Sequence, residues 1–231
     1  MWRHGLILVS MAWGSALLPS AWGGEVRGQI VISRALTKKR VAVPNYQMRG
    51  PAVSAPLAAP ANEYSRIVIY LESVSAAAPA PVPTPVTVTL TQEHQRFDPE
   101  IVVIPLGSTV SFPNSDPIFH NVFSLSPPRQ FDLGYYPAGE ARKLKFDKPG
   151  IVQVYCHLHP DMSAAIVVAP TAWYLRPDER GWFSFPSLPA GAYQVVVWHK
   201  SAGFFRHRVE VTADGVANLS IELPIQEAAI K

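Results

Sequence analysis

Hydrophobic and polar positions along this chain change over in short runs, and few stretches hold a helical period. EVRGQIVIS (25–33) and SRIVIYLE (65–72) read as strands. From Val86 onward VTVTL, EIVVIP, STVSFPN, NVFSLS, ARKLKF, IVQVYC and AAIVVAP follow one another, each short and bounded by turn residues. GWFSF, PAGAYQVVVWH and HRVEVTADGVANLSIEL continue the habit to the end, with Gly and Pro as punctuation. No run supports a helix of three turns, and no repeat recurs at a fixed period. This spacing predicts an all-β chain of sandwich type.

Two breaks organise the strands. Pro44, Pro51, Pro56 and Pro60, set among Ala and Ser, predict a long surface loop between the first two strands. SAAAPAPVPTP (75–85) predicts an extended, polyproline-like linker. The expected units are an N-terminal pair of strands with its loop (24–74), the linker (75–85), a strand-rich unit (86–169) and a final strand block (170–231). Ahead of them, MWRH and the apolar GLILVSMAWGSALL have the form of a signal peptide. Ala21 and Gly23 supply the small residues that place cleavage before Gly24 or close by, so a periplasmic or secreted location is expected. No later segment reads as a membrane span.

Composition agrees with strands and turns: 23 of the 231 residues are Pro, and 48% are hydrophobic, enough for a core. The net charge of +3 comes from 20 Lys and Arg against 17 Asp and Glu with no basic stripe, so nucleic acid is not an expected partner. The single cysteine, Cys156, has no internal disulfide partner, and in an oxidising compartment a lone thiol needs shielding or occupation.

The neighbours of that cysteine supply chemistry. In Cys156-His157-Leu158-His159-Pro160-Asp161-Met162 a strand delivers the thiol and Pro160 forces a turn at once. A thiolate, an imidazole and a thioether in one loop suit copper in both oxidation states, whereas structural zinc sites use Cys and His without Met. A trigonal copper site needs one more His from a separate strand. His120, which follows the turn in FPNSDPIFHNVFS and lies 36 residues before Cys156, is the candidate. Asn121 beside it is placed to hydrogen-bond across to the Cys loop.

The segments RFDPEIVVIPLGSTVSFPNSD, HNV and VYCHLHPDM together resemble the small blue-copper proteins, the cupredoxin family of plastocyanin, azurin and amicyanin. The likeness covers roughly 86–169, and the short ligand loop is similar to that of amicyanin. It implies a Greek-key β-sandwich holding one type 1 copper ion, with His120 and His159 as equatorial nitrogen donors, Cys156 as the thiolate and Met162 as the long axial sulfur. Separately, GWFSFPSLPAGAY resembles the carboxypeptidase-regulatory-like, or transthyretin-like, β-sandwich. That sandwich normally begins with strands like GEVRGQIVIS and SRIVIYLE, which implies that the copper-binding unit is inserted into a second, smaller sandwich. The combination looks like exported bacterial proteins of methylamine-utilisation type, although no residue speaks to methylamine.

The resemblance implies an electron carrier that exchanges single electrons with redox partner proteins, and no catalysis. A copper chaperone or storage module could use the same ligands. A cysteine nucleophile fits poorly, because Cys156 ends a strand ahead of a Pro turn. Multicopper oxidase chemistry needs more histidines than the six of seven left once His4 goes with the leader. A last alternative puts function in the outer sandwich, with Trp173, Trp182 or Trp198 offering a face to carbohydrate or an envelope protein. His157 is expected to face away from the metal, exposed, on an electron exit path or at a weak second metal site. Asp161 reads as a surface carboxylate, and His199 as packed or hydrogen-bonded in the second sandwich; His94 and His207 carry no expected role. Phe123, Phe131, Tyr135 and Tyr136 belong either to the core or to an apolar docking patch.

Overall fold

A computed structural model describes residues 23–34, 62–74 and 81–225. The expected signal peptide up to residue 22, most of the expected Pro-rich loop and the first part of the expected linker lie outside the described residues. The described residues are all-β apart from one 3-10 turn, Glu63–Arg66. No helix among the described residues is long and apolar enough to cross a membrane.

Residues 87–169 form one sandwich. Its larger sheet runs Ile101–Pro105, Ser163–Ala169, Gly150–Tyr155, His120–Ser124, Phe131–Tyr136, and its smaller sheet runs Ala141–Lys145, Thr109–Pro113, Thr87–Thr89. Ile101–Pro105 lies parallel to Ser163–Ala169, and Thr87–Thr89 lies parallel to Thr109–Pro113; the other pairs are antiparallel. Alternation drives one side of each strand inward. Val152, Val154 and Cys156 meet Ala164, Ile166 and Val168 in a core completed by Phe112, Phe146 and Tyr136.

The flanking segments form a second pair of sheets. Gly24–Arg34 lies between Trp182–Leu188 and Val216–Ile225, antiparallel to the first and parallel to the second. Opposite it run Tyr174–Leu175, Ile67–Ser73, Gly191–His199 and Gly203–Val211. Ile67, Ile69 and Leu71 pack with Tyr193, Val195 and Val197 and with Ile221 and Leu223 between the sheets.

The two sandwiches touch face to face. Val68 and Trp198 of the outer one bury against Ile101, Ala165 and Val167 of the inner one. Three strands are therefore covered on both faces, which is why IVIYL, VVVW and AAIVV are continuous apolar runs and not alternating ones. At the edge of this contact, Glu100 of the inner sandwich accepts from Arg66 at 2.7 Å and Lys200 at 2.6 Å, both outer residues. Burial alone would raise the Glu100 carboxyl, but its hydrogen bonds to Arg66 and Lys200 and their charges outweigh that and hold it at about 2.

Four strands lack a counterpart in the sequence reading, the two-residue Tyr174–Leu175 among them. Phe131–Tyr136 carries Gly134 at φ +69°, and its register shifts opposite the His120 strand so that Leu133 and Gly134 face Val122 alone. Thr91–Glu93 and Arg96–Asp98 form a short hairpin whose turn residues, His94 and Gln95, both have left-handed backbones at φ +53° and +56° without being glycine.

Candidate metal centre

Cys156 follows the strand Gly150–Tyr155 and continues its inward-facing series, so the thiol ends up buried at one end of the inner core. The Tyr155–Ser163 pair closes the ligand loop at its base. Inside the loop the Met162 N–H donates to the His159 carbonyl at 2.9 Å, making a tight turn around Pro160. His120 opens the neighbouring strand and is wholly buried.

These placements bring three donors to one point. Nδ1 of His120 lies 3.8 Å from Cys156 Sγ, and Nδ1 of His159 lies 3.7 Å from it. The two imidazole rings are 4.7 Å apart between centroids. Among the described residues these three form the one group of three or more His, Cys, Asp or Glu whose ligand atoms all fall within 4.8 Å. Metal–nitrogen and metal–thiolate bonds of roughly 2.0 and 2.3 Å meeting at about 120° separate nitrogen from sulfur by roughly 3.7 Å. The observed distances match a trigonal His2Cys site. Met162 is fully buried and packs in the same apolar cluster as Cys156.

Behind His120 stands a residue that sequence reasoning passed over. Asp116 Oδ2 lies 2.7 Å from His120 Nε2, with the Asp116 side chain only 9% exposed. The same carboxylate accepts from the N–H groups of His94 at 2.6 Å and Gln95 at 2.8 Å, the two residues of the left-handed turn. Burial alone would raise Asp116, but the Gln95 N–H, the His120 ring and the His94 N–H outweigh it and hold the carboxyl below its usual range. Since Nε2 faces a carboxylate, it carries the proton, and Nδ1 presents its lone pair toward the sulfur. Asn114 ties the connection together: its Oδ1 accepts from the Asp116 N–H, and its Nδ2 donates to the Ile118 and Tyr136 carbonyls. The one available signal was that FPNSD sits four residues ahead of a candidate ligand.

His159 is only partly buried and forms the exposed edge of the site. Burial, and then the facing His120, hold its pKa below the ordinary imidazole value. Exposed Ile118, Phe119 and Leu158 belong to the loops that carry the two imidazoles.

Other expectations fare differently. His157 does face away: its side chain is 44% exposed, stacks on Phe123 at 3.8 Å between centroids, and lies 3.5 Å from Asp132. Asp161 is exposed. Asn121 does not reach the Cys loop. Its Nδ2 donates to Asp132 at 2.7 Å and to the Gly134 carbonyl at 3.2 Å, because the bulge at Gly134 brings those acceptors to it. Its Oδ1 is buried with no hydrogen-bond partner among the described residues. Tyr136 is a core residue, its O–H bonded to the Phe112 carbonyl, while Tyr135 is exposed. His199 is buried in the outer sandwich against Glu63. Trp198 fills the contact between sandwiches and Trp173 packs on Tyr193, which leaves Trp182 as the exposed member of that trio.

No protein-family model matches the chain. No curated protein matches it. Among solved structures it is similar to the copper-containing nitrite reductase of Thermus scotoductus SA-01, at 29% identity over 42% of this chain and 25% of that one, with a TM-score of 0.34. It is similar to a reduced amicyanin variant at 19% identity over 40% of this chain and 99% of that one, TM-score 0.34. A purple cupredoxin from Nitrosopumilus maritimus matches at 21% identity over 36% of this chain and 99% of that one, TM-score 0.32. The chain thus spans about a quarter of the nitrite reductase, and its solved neighbours are cupredoxins of low identity that cover only part of it.

Proposed function

We propose that this chain is a type 1 copper protein that passes single electrons between redox partners, with His120, Cys156 and His159 as the close ligands and Met162 as a long axial one. The observation that carries the reading is the pair of 3.7 and 3.8 Å separations between the two Nδ1 atoms and one thiol sulfur. Copper bound there would supply a one-electron couple. The chain's own part is to hold the donors still: Asp116 fixes one ring, the closed loop fixes the other, and the surrounding apolar core excludes water. Little then needs to rearrange when an electron moves, and no substrate has to be bound. His159 gives the metal its route to a partner, since it is the ligand nearest solvent and apolar side chains lie beside it. The apolar N-terminal run followed by Ala21 and Gly23 supports a periplasmic or secreted location for this carrier. Of Trp173, Trp182 and Trp198, half-exposed Trp182 is the one that supports an aromatic face for a carbohydrate or an envelope protein on the outer sandwich.

Titration of the purified protein with Cu(II), beside a Cys156→Ser variant, tests the assignment. A strong thiolate-to-Cu(II) absorption in the parent alone, with reversible one-electron reduction, is the expected result. Equal behaviour of the two proteins would remove the thiolate from the site. Tight Cu(I) binding without that absorption or a reversible couple would leave a chaperone or storage role.

A further inference from the structure

The carboxylate of Asp116 is better tied than its position in a loop would lead one to expect. It receives three hydrogen bonds, two from backbone N–H groups and one from the His120 ring, all between 2.6 and 2.8 Å. Its own N–H is held by Asn114, and Asn114 is held in turn by two carbonyls. Two non-glycine residues, His94 and Gln95, adopt left-handed backbones where their N–H groups point at this one acceptor. Left-handed backbone is unfavourable for an ordinary residue, so the turn is shaped around the carboxylate. His120 meanwhile is wholly buried. A buried imidazole needs a partner only for its proton, and a neutral carbonyl would have served for that; a carboxylate also brings a negative charge.

We infer that Asp116 is the positioning and tuning residue of the metal centre, fixing the His120 ring through Nε2 and favouring Cu(II) over Cu(I) by the charge it sets behind that ligand. This rests on the copper reading above. A hydrogen-bonded carboxylate makes an imidazole a stronger donor, and a fixed negative charge in a poorly solvated site favours the ion of higher charge. The couple therefore lies lower than His120, Cys156, His159 and Met162 would set by themselves. This carrier is suited to giving up its electron to a partner of higher potential.

The test compares the full-length mature protein with Asp116→Asn and Asp161→Asn. Both variants remove one negative charge, the first from behind His120 and the second from the exposed surface of the ligand loop. Asp116→Asn is expected to shift the reduction equilibrium toward Cu(I) about tenfold, ~59 mV for one electron, and to change the thiolate-to-Cu(II) absorption. Asp161→Asn is expected to shift it by less than about threefold, because water screens that site. Equal shifts in the two variants would overturn the inference while leaving the copper reading intact. A parent protein with no thiolate-to-Cu(II) absorption would sink the copper reading itself. Should Asp116→Asn fail to fold, nitrogen NMR of the Cu(I)-loaded parent decides. A protonated His120 Nε2, its proton well downfield of any from His159, supports the role, and an unprotonated Nε2 ends it.

Discussion

Neutralising Glu100 should loosen the joint between the two sandwiches. Its carboxylate is held by Arg66 at 2.7 Å and Lys200 at 2.6 Å, and Lys200 also donates to the Ser163 carbonyl at 3.3 Å, one residue beyond Met162. The drop of its pKa from 4.5 to about 2 would correspond to roughly 3 kcal/mol if the whole of it were realised. The Glu100 side chain is 37% exposed, however, and solvent screening reduces the expected contribution to about 1 kcal/mol. A folded-state pKa below the unfolded value means that this stabilisation is complete above about pH 5 and fades as pH falls through 4.5 toward 2. Urea unfolding followed by tryptophan fluorescence suits the measurement, since Trp198 is buried in the contact itself. Glu100→Gln should be less stable than the parent by about 1 kcal/mol near neutral pH. The gap should close as the two are compared at progressively lower pH, because the parent's carboxylate is then neutral as well. A gap that stays constant down to about pH 2.5 would show that charge plays no part in the joint, and no gap at neutral pH would refute the clasp altogether.

Two further outcomes follow from buried geometry. His199 accepts the N–H groups of Ser201 and Ala202 at Nδ1 and gives its Nε2 proton to Glu63, and burial holds its pKa below the ordinary value. The unfolded chain therefore takes up a proton first, so stability should fall as pH drops below about 6.5, and a His199→Gln variant should show a shallower slope in the same unfolding series, His159 supplying the remainder. Gly181 sits at φ +85° against the Ile30 carbonyl and the Tyr64 ring with no room for a Cβ; Gly181→Ala should lower the outer sandwich's stability by about 2 kcal/mol in thermal unfolding, and an unchanged midpoint would refute the fit.

Most of the strands were legible because their inward residues alternate. The ligand loop was legible because Cys, His, Pro and Met stand together in it. What stayed hidden had physical reasons. Phe131–Tyr136 carries a bulge at Gly134, which breaks the period of two that marks a strand. The hairpin at 91–98 is only three residues long on each side, and its turn lacks the glycine that usually announces a left-handed pair. Asp116 stays hidden within FPNSD, since an Asp after Pro and Asn reads first as turn chemistry. Its role depends on a hairpin about twenty residues earlier folding over it. The true partners of Asn121 are hidden for a related reason: its acceptors are supplied by the bulge, which the hydrophobic pattern does not reveal.

The outer sandwich is made from the two ends of the described chain. Gly24–Arg34 runs alongside Val216–Ile225 for ten consecutive pairs, from Glu25 with Val216 to Arg34 with Ile225. Its innermost strand cannot find this neighbour until nearly everything else has emerged, whereas the inner sandwich needs only a contiguous stretch of chain. Closing so long a loop is slow. On the proposed copper reading, the inner unit should therefore have its ligands together before the outer one has shut. A step that loaded the proposed ion early would meet a half-finished molecule, with the faces of Ala165 and Val167 still open to water.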